Sequence, residues 1–320
     1  MRTVILSLLL LSVATAAAAE MRVREYPLPE GISAHDVWAD PAPGGPVWFS
    51  GQRSGHAGRL DPKTGKVELI ALGRGSAPHG VILDRDGSPF FTDGGQNAIV
   101  RVDARTREVK VWPLPQGTRY ANLNTAAFDN AGIHWFTGQS GIYGRLDPRT
   151  GDMKVYEAPK GPGPYGIQTT PDGNVYFASL AGSYVGRIDV ATHKVQVIEP
   201  PTKDQGARRV WSDSKGMVWV AEWNAGNLSR YDPKTGAWKT WKAPGESPRV
   251  YAVYVDETDR PWASEWTKQV MLRLDPATGK WDTFRSSSGG ANVRQIHGRR
   301  GEVWTPESAS GKLVVYRYGP

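Results

Sequence analysis

An all-β chain folded as a seven-bladed β-propeller is the fold class this sequence predicts, and three observations carry that expectation. First, one phrase recurs: "GRLDPKTGK" from Gly58, "GRLDPRTGD" from Gly144, "SRYDPKTGA" from Ser229 and "LRLDPATGK" from Leu272, with looser copies from Val100 and Gly186. Its aspartates, Asp61, Asp103, Asp147, Asp189, Asp232 and Asp275, stand 42, 44, 42, 43 and 43 residues apart. A period of that length means one supersecondary unit copied many times. Second, each unit reads as four short runs of β-branched and aromatic residues bounded by Gly, Pro, Asp or Asn, as in "APHGVILD", "GSPFFTD", "NAIVRVD" and "VKVWPLP". Third, the second run can be counted seven times: "PVWFSG", "SPFFTD", "IHWFTG", "NVYFAS", "MVWVAE", "RPWASE" and "EVWTPE". Four-stranded units of ~40–45 residues arranged radially are propeller blades, which protect their sheet edges by closing a ring. No segment after residue 20 shows a helical period with caps.

The elements follow in chain order. Residues 1–19 combine a basic Arg2, an apolar run from Val4 to Val13 and small residues before Glu20. This is the layout of a cleaved export signal, and the run is too short to span a bilayer. Residues 20–320 then form the propeller as one domain. "RVREYPLP" near its start reads like "VKVWPLP", the fourth strand of a unit, whereas the last unit stops after its third strand, "KLVVYRY". Pairing the two ends in one sheet closes the ring and removes an open edge. The recurring Asp-Pro-Lys-Thr-Gly is a hairpin turn between third and fourth strands: Asp bonds the backbone two residues on, Pro presets φ, and Gly takes a positive φ. Trp48, Phe90, Trp135, Tyr176, Trp219, Trp262 and Trp304 share one slot in the second strand. They are expected to fill the space between neighbouring blades rather than to stack on a ligand.

Composition narrows the function. The chain has no cysteine, which excludes disulfides, thiolate nucleophiles and cysteine-bound metals. The net charge of +7 comes from scattered Lys and Arg without runs, so nucleic acid is not an expected partner. No transmembrane segment follows the leader. The chain is read as a periplasmic or secreted monomer. "GPGPYG" at Gly161 matches a nucleotide-loop pattern formally, but it holds two prolines and runs into a strand, not a helix.

In a repeat protein, positions alike in every blade serve the fold, and positions that differ are candidates for a ligand. One such slot opens the innermost strand: His35, His79, Asn124, Tyr165, Arg208 and Tyr251, with Val293 or Arg294 in the last blade. A second follows the strand-two aromatic by three residues and includes Asp93, Glu222, Glu265 and Glu307. Because the first strand begins where the antiparallel second strand ends, both slots face one mouth of the central channel. His79 or His35 is the candidate base. Glu222, Glu265 and Glu307 are candidate ligands for a hard cation such as Mg²⁺, or else partners for Arg208, Arg209, Arg249 and Arg294 on the same rim. Asn124, Tyr165, Arg208, Arg249 and Arg294 are candidate ligand contacts, and Trp223 and Trp266 could stack a flat ligand beside the carboxylates. His56, His134, His193 and His297 share no slot and are expected at the solvent.

The alternation of "EYPLP", "PHGV" or "PYGI", "WFT" and "GRLD" or "GRID" resembles the streptogramin B lyase (virginiamycin B lyase) family, over essentially the whole mature chain. The resemblance implies a seven-bladed propeller that opens a cyclic depsipeptide by elimination at its ester, using Mg²⁺ and a histidine base at the channel mouth. At the family's Glu-Pro-His-Gly stretch this chain has Asn292-Val293-Arg294-Gln295. Tyr251 stands where the family has a second histidine, and Glu307 matches the remaining family glutamate to within one residue. Three functions stay open. One is an exported propeller that binds a small ligand or another periplasmic protein at the mouth. Another is a lyase or hydrolase that opens an ester or lactone, with His79 or His35 moving a proton and Tyr251 at the catalytic position. The last is a structural surface module.

Overall fold

A computed structural model describes residues 21–319 of the chain. The leader read at residues 1–19 lies outside them. Among the described residues there is no helix, and the strands form seven four-stranded antiparallel sheets. The first blade is built from Val37–Ala39, Val47–Gly51, His56–Leu60 and Val67–Ala71, and each later blade repeats that meander. The innermost strands of the first six blades contact one another in succession, and that of the seventh meets the first. They line one central channel.

The seventh blade is a composite. Strand Arg22–Pro27 pairs antiparallel with Lys312–Arg317, and the sheet continues through Glu302–Glu307 to His297–Arg299. The closing strand is anchored by Tyr26, which is 2% exposed, stacks on Trp304 at 5.5 Å and donates its hydroxyl proton to the Pro62 carbonyl of the first blade at 2.9 Å. One side chain thus ties the ends of the chain to the next sheet.

The repeated phrase is the turn its residues describe. The Asp61 carboxylate accepts the Lys63 N–H at 2.9 Å, and Gly65 has φ +77°, where a side chain would be strained. All seven strand-two aromatics are buried, none more than 1% exposed. At the foot of each of several blades an acid closes the packing by accepting the indole N–H. Asp129 takes it from Trp135, Asp213 from Trp219, Asp256 from Trp262 and Glu302 from Trp304, at 2.8–3.0 Å.

Two histidines expected at the solvent are interior. His134 is fully buried between Phe90 and Phe128, with neither ring nitrogen hydrogen-bonded. His297 stacks on Trp38 at 3.7 Å and accepts the Ala39 N–H. Polarity misled the reading here. Neutral imidazole is a flat ring that packs like an aromatic, and these two stand on strands at positions that face a blade interface. Burial holds both pKa values at about 3.

Two outcomes follow. Tyr26→Ala removes the stack and the hydroxyl bond of the closing strand, and should cost about 3 kcal/mol in a urea melt. The folded-state pKa of His134 lies below its ordinary 6.5. Its neutral burial therefore stabilises the fold fully above that pH and loses about 1.4 kcal/mol per unit as pH falls below it. His134→Val, the residue used by several sister blades, should accordingly gain roughly 2 kcal/mol over wild type between pH 7.5 and pH 5.

Candidate functional site

The channel mouth is built from the start of each innermost strand. In at least five blades the pairing of that strand with the second contains a register shift, as between Pro78 and Gly80 or Ala207 and Arg209. Such a bulge places two consecutive residues opposite one, so both project to the same side. Aligning each blade on the residue opposite its strand-two aromatic gives one upper ring: His35, His79, Asn124, Tyr165, Arg208, Tyr251 and Arg294. The seventh member is fixed as Arg294 because His297 pairs with Trp304 just as Ile82 pairs with Phe90.

The bulge also creates a lower ring that the sequence reading missed: Asp36, Gly80, Thr125, Gly166, Arg209, Ala252 and Gln295. Its signal was available, since it too changes residue from blade to blade. The glycines are obligatory there. A Cβ on Gly166 would meet the Arg209 backbone at 2.6 Å, and one on Gly80 would meet the Asn124 carbonyl oxygen at 2.6 Å. Adjacent inner strands approach too closely for any other residue.

Hydroxyls from the preceding blade hold the upper ring in place. Ser50 donates to the His79 carbonyl, Thr92 to that of Asn124 and Thr137 to that of Tyr165. The floor of the mouth is a salt bridge across the channel. Arg209 of the fifth blade donates to both oxygens of Asp36 in the first at 3.0–3.2 Å, and these side chains are 4% and 1% exposed. Arg209 also donates to Thr125 of the third blade at 2.8 Å. Burial opposes the Asp36 charge, but Arg209 and the His35 hydrogen bond outweigh it and hold the carboxyl at about 2. Below this tie the channel has a cavity of about 20 Å³, room for about one water.

Above the floor the polar groups form two connected sets. In one, the His35 Nδ1–H donates to Asp36 at 2.8 Å, leaving Nε2 as an acceptor, and the His35 ring lies 4.0 Å from that of His79. Thr125 donates to the Asn124 side-chain oxygen at 2.6 Å, so the Asn124 amide nitrogen faces His79 Nε2 at 3.3 Å as a donor. The His79 proton is then on Nδ1, which is buried and unbonded. Burial lowers the pKa of both imidazoles, so both are neutral at pH 7.

The second set is cationic and aromatic. The Tyr165 and Tyr251 hydroxyls are 2.6 Å apart, and Arg208 donates to Tyr165 at 3.0 Å. The Arg208 guanidinium lies 3.5 Å over the Tyr251 ring and 4.4 Å over Trp223. Burial disfavours the Tyr165 phenolate, yet Arg208 and Arg209 draw its pKa below the ordinary value; burial raises that of Tyr251. Trp266 stacks on Tyr251 at 5.0 Å, Arg249 lies over Trp223 and Arg294 over Trp266. Among the described residues, Arg208, Arg249 and Arg294 have no carboxylate within 4 Å.

The glutamates depart from both readings of them. They do not converge, and none pairs with a rim arginine. Glu222 accepts from Asn227 and Ser229; Glu265 accepts the backbone N–H groups of Arg249, Thr267 and Lys268; Glu307 accepts from Ser286 and Ser310 and pairs with Lys312. Glu265 caps the turn between second and third strands, as Asp93 does through Gly95 and Gln96, whereas Glu222 and Glu307 bond the side chains around that turn. These three residues therefore do not fit a shared Mg²⁺. His35, Asp36 and His79 are the one set among the described residues with ligand-type atoms within 4.8 Å of each other. There both carboxylate oxygens are taken by Arg209, whose charge already compensates Asp36.

Comparison with known proteins agrees with this architecture. A streptogramin B lyase structure superposes with a TM-score of 0.84 at 20% identity, covering 93% of this chain and 98% of that one. A catalytically inactive virginiamycin B lyase from Staphylococcus aureus with quinupristin gives 0.86 at 19% identity, covering 94% and 100%. The WD40 propeller of Doa1 gives 0.76 at 13% identity over 93% and 97%. At such identities these likenesses show the fold alone. No curated protein sequence matches the chain. The sequence pattern of the virginiamycin B lyase family matches residues 12–270, most of the chain. The chain belongs to the virginiamycin B lyase family.

Proposed function

We propose that the protein is an exported binding propeller whose channel mouth takes a small anionic ligand with a flat ring. The observation that carries this reading is the imbalance of donors. Arg208 Nε, Arg209 Nε and His79 Nδ1 are buried donors without acceptors, in a mouth whose one acid on the channel floor, Asp36, is already paired. Each unmet buried donor costs about 1–3 kcal/mol, more if charged, and a ligand oxygen recovers it. Trp223 and Trp266 are partly exposed rings beside them, while Arg249 and Arg294 reach the rim. The loops around the mouth carry exposed residues of both signs, Arg74, Arg119, Lys203 and Lys268 beside Glu30, Glu157, Glu199, Asp204 and Glu246, so the pull on an anion comes from the arginines of the ring itself.

A second reading, turnover of a bound ester or lactone, draws on one feature. His35 is oriented by Asp36 and keeps Nε2 free, the geometry of a positioned base. In that case a cyclic ester incubated with the protein would be opened, a product visible by mass spectrometry, and His35→Ala would abolish opening while ligand binding survived.

Titration calorimetry with benzoate and benzamide tests the first reading. Benzoate should bind and the uncharged amide should not. The double variant Arg249→Ala/Arg294→Ala should weaken benzoate by about 10–100-fold, the loss of one or two charge-assisted contacts. Equal affinity for acid and amide, or no binding of either, would overturn it.

A further inference from the structure

A second site lies on the opposite face, between the second and third blades, and the repeat itself identifies what it lacks. In the fifth blade Trp219 stacks on Trp241 at 5.2 Å, donates its indole N–H to Asp213 at 3.0 Å and lies beneath Arg230, while Lys239 covers Trp241. The second blade keeps every partner of that arrangement: Trp112, Asp84, Arg101 and Lys110. Only the tryptophan is gone. Phe90 stacks on Trp112 at 5.9 Å, and having no N–H it leaves Asp84 without the indole donor that its counterparts receive. Arg101 reaches Asp84 only at 3.4 Å.

The deficit opens onto a cleft of about 600 Å³, whose walls include Phe90, Trp112 and Phe128 and whose rim carries Arg85, Lys110 and Arg149, the last paired with Asp147, beside Asp86 and Asp129. That volume is typical of small-ligand pockets. Among the described residues Lys110 has no carboxylate within 4 Å; its ammonium sits 4.5 Å over Trp112. Behind Phe90 and Phe128 lies His134, with both nitrogens unbonded. Apolar ring faces, an acid short of an N–H donor and a cationic rim occur together in one cleft.

We propose that this cleft binds an indole carboxylate, its ring against Trp112 and Phe128, its N–H to Asp84 and its carboxylate to the Lys110 rim. The ligand supplies the group that Trp219 supplies in the fifth blade. Asp84 Oδ1 accepts the Asp86 and Ser88 N–H groups, so Oδ2, reached only by Arg101, is the oxygen that faces the ligand N–H. The site shares no residue with the channel mouth and does not depend on the function proposed for it.

Calorimetry with indole-3-acetate is the test. Phe90→Trp rebuilds the fifth-blade arrangement in place, so it should raise the melting temperature and weaken indole-3-acetate at least tenfold. Lys110→Glu, an exposed change that leaves the core intact, should weaken it by about tenfold. Indole-3-acetate is itself a flat-ring anion of the kind proposed for the mouth, so the titrations are made in the Arg249→Ala/Arg294→Ala background, which should keep one saturable site. Unchanged affinity of either Phe90→Trp or Lys110→Glu in that background, or absence of saturable binding there, would overturn the proposal.

Discussion

The pairing of Arg22–Pro27 with Lys312–Arg317 is the constraint on which the rest of the structure depends. A propeller sheet buries one face against the sheet before it and the other against the sheet after it. An open array would leave two apolar faces and two strand edges to water. Joining the ends of the chain in one blade removes both costs, and it has a geometric consequence far from the joint. The seven innermost strands must converge on a single axis, so residues 173 positions apart, such as Asp36 and Arg209, meet across the channel. The mouth is a product of closure more than of any local motif.

Closure also explains why parts of the site were legible in the sequence and others were not. Side chains that vary at one repeated position must converge if the repeats form a ring, and His35, His79, Asn124, Tyr165, Arg208 and Tyr251 do meet. The lower ring escaped notice because a regular strand alternates its side chains. By that rule Asp36 should face away from His35, and Arg209, placed on the rim as a partner for the glutamates, had no ring of its own; the bulge turns consecutive residues to one side. The seventh blade was ambiguous for a related reason. Its inner strand is regular only over His297–Arg299, so Arg294 lies in the irregular approach, where no periodicity sets the register. Glu222, Glu265 and Glu307 were misjudged on a different ground. The turns that follow them share one four-residue form, with a positive φ at Gly226, Gln269 and Gly311, but the side chains around each turn differ, and each carboxylate is consumed by its own neighbours.

The two faces of the ring follow opposite electrostatic plans. In the inner ring of the mouth, Arg208, Arg249 and Arg294 have no carboxylate within 4 Å among the described residues, and Asp36 is spent on Arg209. On the far face, acids at the starts of the turns satisfy backbone and indole N–H groups, and each is matched to a local donor. The second blade keeps the acid, Asp84, but has Phe90 in place of the tryptophan, whereas the first keeps Trp48 without an acceptor for its indole N–H. In both places the same reasoning applies: the repeat defines what a satisfied position looks like, and an unsatisfied one asks for something from outside.

Native-state hydrogen exchange of the closing strand tests ring closure most directly. If the amides of Arg22–Pro27 seal the structure, those bonded to Lys312–Arg317 should open only with global unfolding, at the same free energy as amides of Glu302–Glu307. Exchange of that strand by local fraying, while the other blades stay protected, would contradict the account.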